Sequence, residues 1–292
     1  MTAAIFAARA NLRTAIIEER TCGGLANWTN VVENFPSHVS INGMELMERV
    51  LMQTERLGVK VDQAAEIVRL DICGSPKTIE TGEYSYAGKA IILATGRQPI
   101  RLELRTGCDR IHYCSVCDGP PYAGKDVLVV GGGNSGFDES FYLLSLGVRK
   151  IILVESAESC CACEAAQLKL RSRANVEIMT STTLKEIDNG GEGYRVIVED
   201  NRSKTRRSLC VEGIFVFVGQ KPNSDMIRGM VEMDSSQYII TDSDQRTSLP
   251  GVFAAGDVTR KKHRYMTTAM SDGTIAALSA AEYISAIGIE RP

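Results

Sequence analysis

The stretch GKDVLVVGGGNSGFDESFYLLSLGVRKIILVE, residues 124–155, constrains this chain more than any other. Val127–Val130 is an unbroken aliphatic run that reads as a buried strand. Gly131-x-Gly133-x-x-Gly136 follows and opens a helix over roughly residues 135–146. Ile151–Val154 reads as a second strand and ends on Glu155. A glycine triple alone is a weak signal. Bracketed by strands, with an acid about 20 residues on, it specifies a βαβ dinucleotide-binding unit. The first glycine makes the tight turn, the second lets a pyrophosphate approach the backbone, and the third lets helix pack on strand. Gly131, Gly133, Gly136 and Glu155 are therefore candidate cofactor residues.

Other segments carry pieces of the same pattern. Residues 2–10 read as a small-residue helix and 13–18 as a strand ending at Glu18, which is the second half of a nucleotide-binding unit. Counting back from Glu18, the expectation is that the missing strand and glycine fingerprint precede Met1 in a longer natural chain. GKAIILATG, residues 88–96, reads as a buried strand running into a small-residue turn. YRVIVEDN and EGIFVFVG add strands, LPGVFAAGDV at 249–258 adds another with a Gly-Asp turn, and MTTAMSDGTIAALSAAEYISAIG reads as a closing helix. These units predict an α/β protein with two Rossmann-like nucleotide-binding domains, each three-layered, the second inserted into the first.

Bulk properties exclude several function classes. The chain has 292 residues, 44% hydrophobic and 24% charged, which suits a globular protein of two ordinary domains. A formal charge of -3 gives no electrostatic footprint for nucleic acid. The basic runs RKKHR (260–264) and KTRR (204–207) read as solvated loops. No apolar run reaches the roughly 18 residues that span a bilayer, so no membrane role is expected. The nine cysteines do not suit a disulfide framework in a chain this long, and a reducing cytoplasm is the expected location.

Cys114 and Cys117 stand two residues apart in HYCSVCDG, with Asp118 directly after. A metal site, a structural disulfide and a redox relay compete for this pattern. Zinc requires a second ligand pair, and Cys160, Cys161 and Cys163 offer the one candidate, without the paired C-x-x-C spacing; no metal is expected. The Cys160 cluster is read as small residues on a partly exposed turn. Cys22, Cys73, Cys108 and Cys210 are read as buried small hydrophobes.

Taken in order, TAAIFAARANL, CGGL, VENFP, ILATG, CSVCDG, GGGNSG, PGVFAAGDV and DGTIAAL closely resemble the low-molecular-weight thioredoxin reductase family of two-domain flavoproteins. The resemblance runs over essentially the whole chain. It implies a fold of the pyridine nucleotide-disulfide oxidoreductase type, with an FAD domain in two parts, 1–103 and 220–292, around an NAD(P)-type domain at 104–219. It also implies a homodimer that reduces thioredoxin or a thioredoxin-like protein. Cys114 and Cys117 would be the redox-active pair, with Cys117 nearer the flavin, Cys114 exchanging with the partner and Asp118 relaying a proton. The FAD positions it implies are Glu18 on the adenosine ribose, the loop Gly23, Gly24 and Leu25, then Asn34, Ala94, Thr95, Gly96, Gly256, Asp257 and Arg264. For Gly23 and Gly24 ordinary turn chemistry is the competing reading.

The chain departs from the family at the second strand tip. Members that use NADPH carry His-Arg-Arg there and another arginine four residues on; here those positions are Glu155, Ser156, Ala157 and Cys161. Each lost charge-assisted bond to a 2′-phosphate is worth roughly 1.5–3 kcal/mol, so losing two weakens NADPH binding about 10²- to 10⁴-fold. The expected donor is reduced ferredoxin, as in a nucleotide-independent branch that also lacks these arginines and that CGGLANWTNVVENFP resembles. NADH, which Glu155 would suit, ranks second. An ordinary NAD(P)H-dependent thioredoxin reductase, an NADH-linked reductase of peroxiredoxin partners and a non-catalytic, flavin-poor relic with a binding or redox-sensing role are the alternatives.

Overall fold

A computed structural model describes residues 1–104, 110–189 and 193–289, and the chain divides into two compact units. One comprises Met1–Gln98 with Lys221–Pro292, the other Pro99–Gln220.

In the first unit, α1 (Thr2–Arg9) buries Ala4, Ile5 and Ala7. β1 (Ala15–Glu18), α2 (Gly43–Arg56) and β2 (Lys60–Gln63) follow, and β1 pairs in parallel with β2, Glu18 opposite Gln63. The Asn42 side chain caps α2 by accepting from the Met44 and Glu45 amides, satisfying donors that a helix start leaves open. β3 (Ile67–Asp71), β4 (Lys77–Thr81) and β5 (Ser85–Gly88) form an antiparallel sheet that sequence reading did not anticipate. β6 (Ile91–Leu93) is the strand expected from GKAIILATG, and in β7 (Arg97–Pro99) the chain leaves this unit.

The second unit holds β8 (Ile111–His112), α3 (Ser115–Asp118), β9 (Asp126–Val130), α4 (Asn134–Ser145), β10 (Lys150–Val154), α5 (Glu164–Arg171), β11 (Val176–Met179), β12 (Thr182–Asn189), β13 (Tyr194–Asp200), β14 (Arg206–Val211) and β15 (Gly213–Val216). A five-stranded parallel sheet runs β11-β10-β9-β15-β8, and β12-β13-β14 form a separate antiparallel sheet. Period-2 alternation sorts the parallel strands between two cores. Val127, Val129, Ile151, Leu153 and Phe215 pack with Phe137, Leu143 and Leu170 of the helices. Leu128, Val130, Ile152, Val154, Ile214 and Val216 pack with Val196, Val198 and Leu209 of the antiparallel sheet. The unit thus has helix, parallel-sheet and antiparallel-sheet layers.

β16 (Gln220–Pro222) returns the chain to the first unit, where β17 (Val252–Ala254) pairs in parallel with β6. α6 (Met266–Ile289) sets Ala276 and Ala280 against Phe253 and Ala255. It meets α1 at Gly273, where a Cβ would lie 3.2 Å from the Ala3 nitrogen, so the glycine permits a close helix crossing. No helix among the described residues is long and apolar enough to cross a membrane.

The cysteines correct part of the reading. Cys22 is buried, but Cys73 and Cys210 are exposed. Cys73 sits in a turn whose amide donates to Asp71 Oδ1, and Cys210 alternates outward between buried Leu209 and Val211. Cys108 lies outside the described residues.

Candidate functional site: a disulfide and two glycine-lined strand ends

Cys114 and Cys117 are joined by a disulfide, their Cα atoms 5.4 Å apart. Cys114 is in extended conformation at the start of α3, and its Sγ accepts the Cys117 amide at 3.1 Å. Pro120 and Pro121 stop the helix after one turn. Gly119 is required by packing, since a Cβ there would stand 2.8 Å from Leu146 Cδ1. Cys114 is buried and Cys117 exposed, so Cys117 is the sulfur open to an outside group in this conformation.

Asp118 Oδ2 lies 3.2 Å from His112 Nδ1 at the end of β8. The other ring nitrogen, Nε2, is 2.7 Å from the Tyr122 hydroxyl, and the imidazole packs against Phe215 with ring centroids 5.0 Å apart. The carboxylate is thus tied to an imidazole that two aromatic neighbours, Tyr122 and Phe215, hold in place. His112 and Tyr122 were not singled out from the sequence; an isolated histidine carries no signal of its partner. Among the described residues no group of three or more His, Cys, Asp or Glu side chains is placed to hold a metal ion, and Cys160, Cys161 and Cys163 form no such set with the disulfide.

In the glycine-rich loop, Gly131 has φ +114°, and a Cβ there would stand 2.7 Å from the Phe217 carbonyl carbon. A Cβ on Gly136 would stand 3.1 Å from the Gly131 carbonyl carbon, so both are needed for packing alone. Gly133 has only the Cys161 sulfur near, at 3.7 Å from such a Cβ. Glu155 is turned back on the loop: Oε2 accepts the Gly132 amide at 2.6 Å, and Oε1 accepts the Ala157 amide at 2.8 Å and the Ser156 hydroxyl at 3.2 Å. The Cys161 and Ala162 amides donate to the Gly132 carbonyl, and the Cys163 amide donates to Asn134 Oδ1. Cys160 is buried, and burial pushes its thiol pKa up; Cys161 and Cys163 are exposed.

The first unit brings Ala94, Thr95 and Gly96 beside Gly256 and Asp257, because β6 and β17 are parallel neighbours, with Leu93 opposite Ala254. Asn223 braces the first of these turns: its Nδ2 donates to the Thr95 carbonyl at 2.8 Å and its amide to the Gly96 carbonyl at 3.0 Å. Gly256, at φ +79°, donates its amide to Asp272 Oδ2, which also pairs with Lys261. Asp257 Oδ2 accepts from Arg97 Nη2 at 2.9 Å and from Nε at 3.2 Å. Arg97, Asp272, Lys261 and Asn223 were missed, because side chains that brace a turn leave no spacing signature.

Two sealed polar atoms at this end have no hydrogen-bond partner: Asp257 Oδ1, an acceptor, and Arg264 Nε, a donor. The Arg264 guanidinium lies 4.1 Å from the Tyr238 ring centroid. Buried polar groups are normally paired, so an open acceptor and an open donor fit a ligand with hydroxyl and anionic groups, as FAD has. Glu18 ends β1, and Gly23, Gly24 and Leu25 follow it; Glu18 Oε1 accepts the Arg20 amide. Gly23, at φ +109°, would crowd Asn27 Oδ1 at 2.7 Å with any side chain, whereas Gly24 has open space. Asn34 is exposed.

A profile of the family described as "Pyridine nucleotide-disulphide oxidoreductase" matches residues 1–273. The chain is 38% identical to the "34.2 kDa protein in rubredoxin operon" of Clostridium pasteurianum, covering 97% of this chain and 93% of that one. It is 32% identical to the thioredoxin reductase of Treponema pallidum (strain Nichols), covering 98% and 94%. The crystal structure of Lactococcus lactis thioredoxin reductase (FR conformation) matches with a TM-score of 0.89 at 30% identity, covering 98% of this chain and 95% of that one. The chain belongs to the pyridine nucleotide-disulphide oxidoreductases, and within them to the low-molecular-weight thioredoxin reductases.

Proposed function

We propose that this member of the low-molecular-weight thioredoxin reductases passes two electrons through Cys114 and Cys117 to the disulfide of thioredoxin or a thioredoxin-like protein. The observation that carries this reading is the closed Cys114–Cys117 disulfide with Asp118 and its His112 partner directly beside it. The chemistry that bound FAD would supply is two-electron transfer between a donor and the Cys114–Cys117 disulfide. Asp257 and Arg264 would hold it through their open acceptor and donor, with Glu18, Gly23, Gly24, Leu25, Asn34, Ala94, Thr95, Gly96 and Gly256 around it. Arg97 orients the Asp257 carboxylate.

On the chain's side, reduction breaks the Sγ–Sγ bond and takes up two electrons and two protons. Exposed Cys117 is the sulfur that receives the electrons, and Asp118, steered by His112, hands on a proton. Cys114 then gives up its proton and, as the thiolate, attacks the partner's disulfide to give a mixed disulfide. Attack by Cys117 closes the Cys114–Cys117 bond again and releases the partner as a dithiol.

For the donor, reduced ferredoxin is favoured over NADH, and both over NADPH. Glu155, Ser156, Ala157 and Cys161 offer no cation to a 2′-phosphate. Both Glu155 oxygens are engaged within the loop, which weakens the case for NADH as well. The retained Gly131, Gly133 and Gly136 favour NADH as the second reading, although packing alone accounts for Gly131 and Gly136.

The test is the Cys117→Ser protein, with FAD and a reduced donor supplied. Its flavin should still be reduced while reduction of the partner falls below about a thousandth of the wild-type rate, the scale on which removing a reacting group acts. Normal partner reduction by the variant excludes the reading.

A further inference from the structure

The tip of β10 and the residues after it, Glu155, Ser156, Ala157 and Glu158, include no cation, yet the fold brings a guanidinium to them from another sheet. The turn between β13 and β14 lies against this segment. Asn201 Nδ2 donates to the Ser156 carbonyl at 2.8 Å, and the Asn201 amide donates to the Ser181 carbonyl at 2.6 Å. The Ser181 amide in turn donates to the Ala157 carbonyl at 2.7 Å. Asp200 shapes the turn, its Oδ1 accepting the Arg202 amide at 2.9 Å and the Ser203 amide at 2.7 Å. Arg202, next in the chain after Asn201, is thereby delivered to Glu158, next after Ala157. Its Nη2 lies 2.9 Å from Glu158 Oε1. Neither side chain has a part in the steps above.

In a nucleotide-binding βαβ unit the tip of the second strand meets the adenosine ribose. An acid there takes the 2′-hydroxyl, and an arginine nearby takes a 2′-phosphate. We propose that Glu158 is a specificity-determining residue of this tip: it takes up the Arg202 guanidinium that the fold supplies there and so denies a 2′-phosphate its cation.

A guanidinium fork meets carboxylate and phosphate oxygens through the same N–H donors, so the two compete for Arg202. Glu158 also sets a second negative charge in the segment that begins with Glu155, and that charge opposes a dianion. A ribose with a free 2′-hydroxyl is neutral and meets neither effect. The pair is exposed to water, which screens it, so it discriminates by a modest factor. Lack of arginine at 155–157 is then one part of the exclusion of NADPH, and capture of Arg202 is the other.

This inference rests on the donor reading above, in which NADPH ranks last, and the experiment separates the two. Adenosine 2′,5′-diphosphate and adenosine 5′-monophosphate differ by the 2′-phosphate alone. Their binding to the full-length protein is measured by isothermal titration calorimetry at low salt. The Glu158 and Arg202 side chains are 79% and 65% exposed, so substituting them removes no core packing. Glu158→Gln should tighten the diphosphate about fivefold, the upper range for releasing one exposed ion pair, and leave the monophosphate unchanged. Adding Arg202→Ala to Glu158→Gln should cancel the gain. No gain, an equal gain for both nucleotides, or a gain that survives Arg202→Ala overturns the inference and leaves the donor reading standing. Failure of both nucleotides to bind any of the proteins at millimolar concentration does the same. Micromolar binding of the diphosphate by the wild-type protein overturns both.

Discussion

His112 Nδ1 lies 3.2 Å from Asp118 Oδ2, on the residue directly following the disulfide cysteine Cys117. The ring is fixed from its other side by Tyr122, so it can aim the carboxylate but not swing away with it. A positioned acid contributes about 10²- to 10⁴-fold to a proton transfer. Asp118→Asn should therefore slow partner reduction about 100-fold or more while leaving the disulfide able to form. His112→Asn, which removes the orienting group and leaves the acid, should cost less, about tenfold. Steady-state assays with a thioredoxin partner check the order; a larger loss in His112→Asn than in Asp118→Asn contradicts it.

Asp257 joins stability to cofactor retention. Its pair with Arg97 is mostly enclosed, the side chains 25% and 20% exposed, and its other oxygen is open. Asp257→Asn should weaken FAD binding at least tenfold, the worth of one charge-assisted hydrogen bond. It should also destabilise the protein by about 2 kcal/mol, between the values for exposed and fully buried pairs. Equilibrium dialysis with FAD and denaturant unfolding measure the two effects.

Glu177 gives a pH dependence in the second unit. Lys150 first, then Arg207, hold its pKa below the ordinary glutamate value, at 3.0 and 2.7 Å. A folded-state pKa lowered in this way contributes stability that is present above the unfolded value of about 4.3 and lost as pH falls through the folded value. Glu177→Gln should cost about 1 kcal/mol near neutrality, the upper range for partly exposed pairs. In acid, below the folded value, the difference should vanish. Thermal unfolding of both proteins from neutral pH down to about pH 3 reads this directly.

The donor reading turns on charge at the tip of β10. Anaerobic titration of the FAD-loaded protein, followed at the flavin absorption band, should show efficient reduction by reduced ferredoxin. NADPH should reduce it poorly, with binding about 10²- to 10⁴-fold weaker than a site with the arginines would give. Stoichiometric bleaching by micromolar NADPH sinks the reading; bleaching by NADH alone keeps the charge argument and discards ferredoxin.

Residues 124–155 were legible to within a residue or so. The expected strands Val127–Val130 and Ile151–Val154 are Asp126–Val130 and Lys150–Val154, and the helix expected over 135–146 is Asn134–Ser145. There apolar runs, glycines and strand length all point the same way. β3–β5 were not legible, because their half-exposed residues alternate weakly and carry no buried run. The dithiol and its acid could be read from adjacent positions. His112 and Arg97 could not: they meet Asp118 and Asp257 only through the fold, across 6 and 160 residues. Glu155 marks the limit of spacing arguments. Its place at a strand tip suits a ribose, yet its oxygens turn onto the chain's own amides.

The central claim, electron transfer through Cys114 and Cys117 to a partner disulfide, is tested most directly by a single turnover. The FAD-loaded protein is reduced with dithionite under anaerobic conditions, freed of excess reductant and mixed with oxidised thioredoxin. The account predicts that two partner disulfides are reduced per protein, one by the Cys114–Cys117 dithiol and one as the flavin re-oxidises, and that Cys117→Ser keeps its flavin reduced and releases no partner dithiol. A wild-type flavin that stays reduced, or a Cys117→Ser protein that reduces thioredoxin as fast as the wild type, would contradict it.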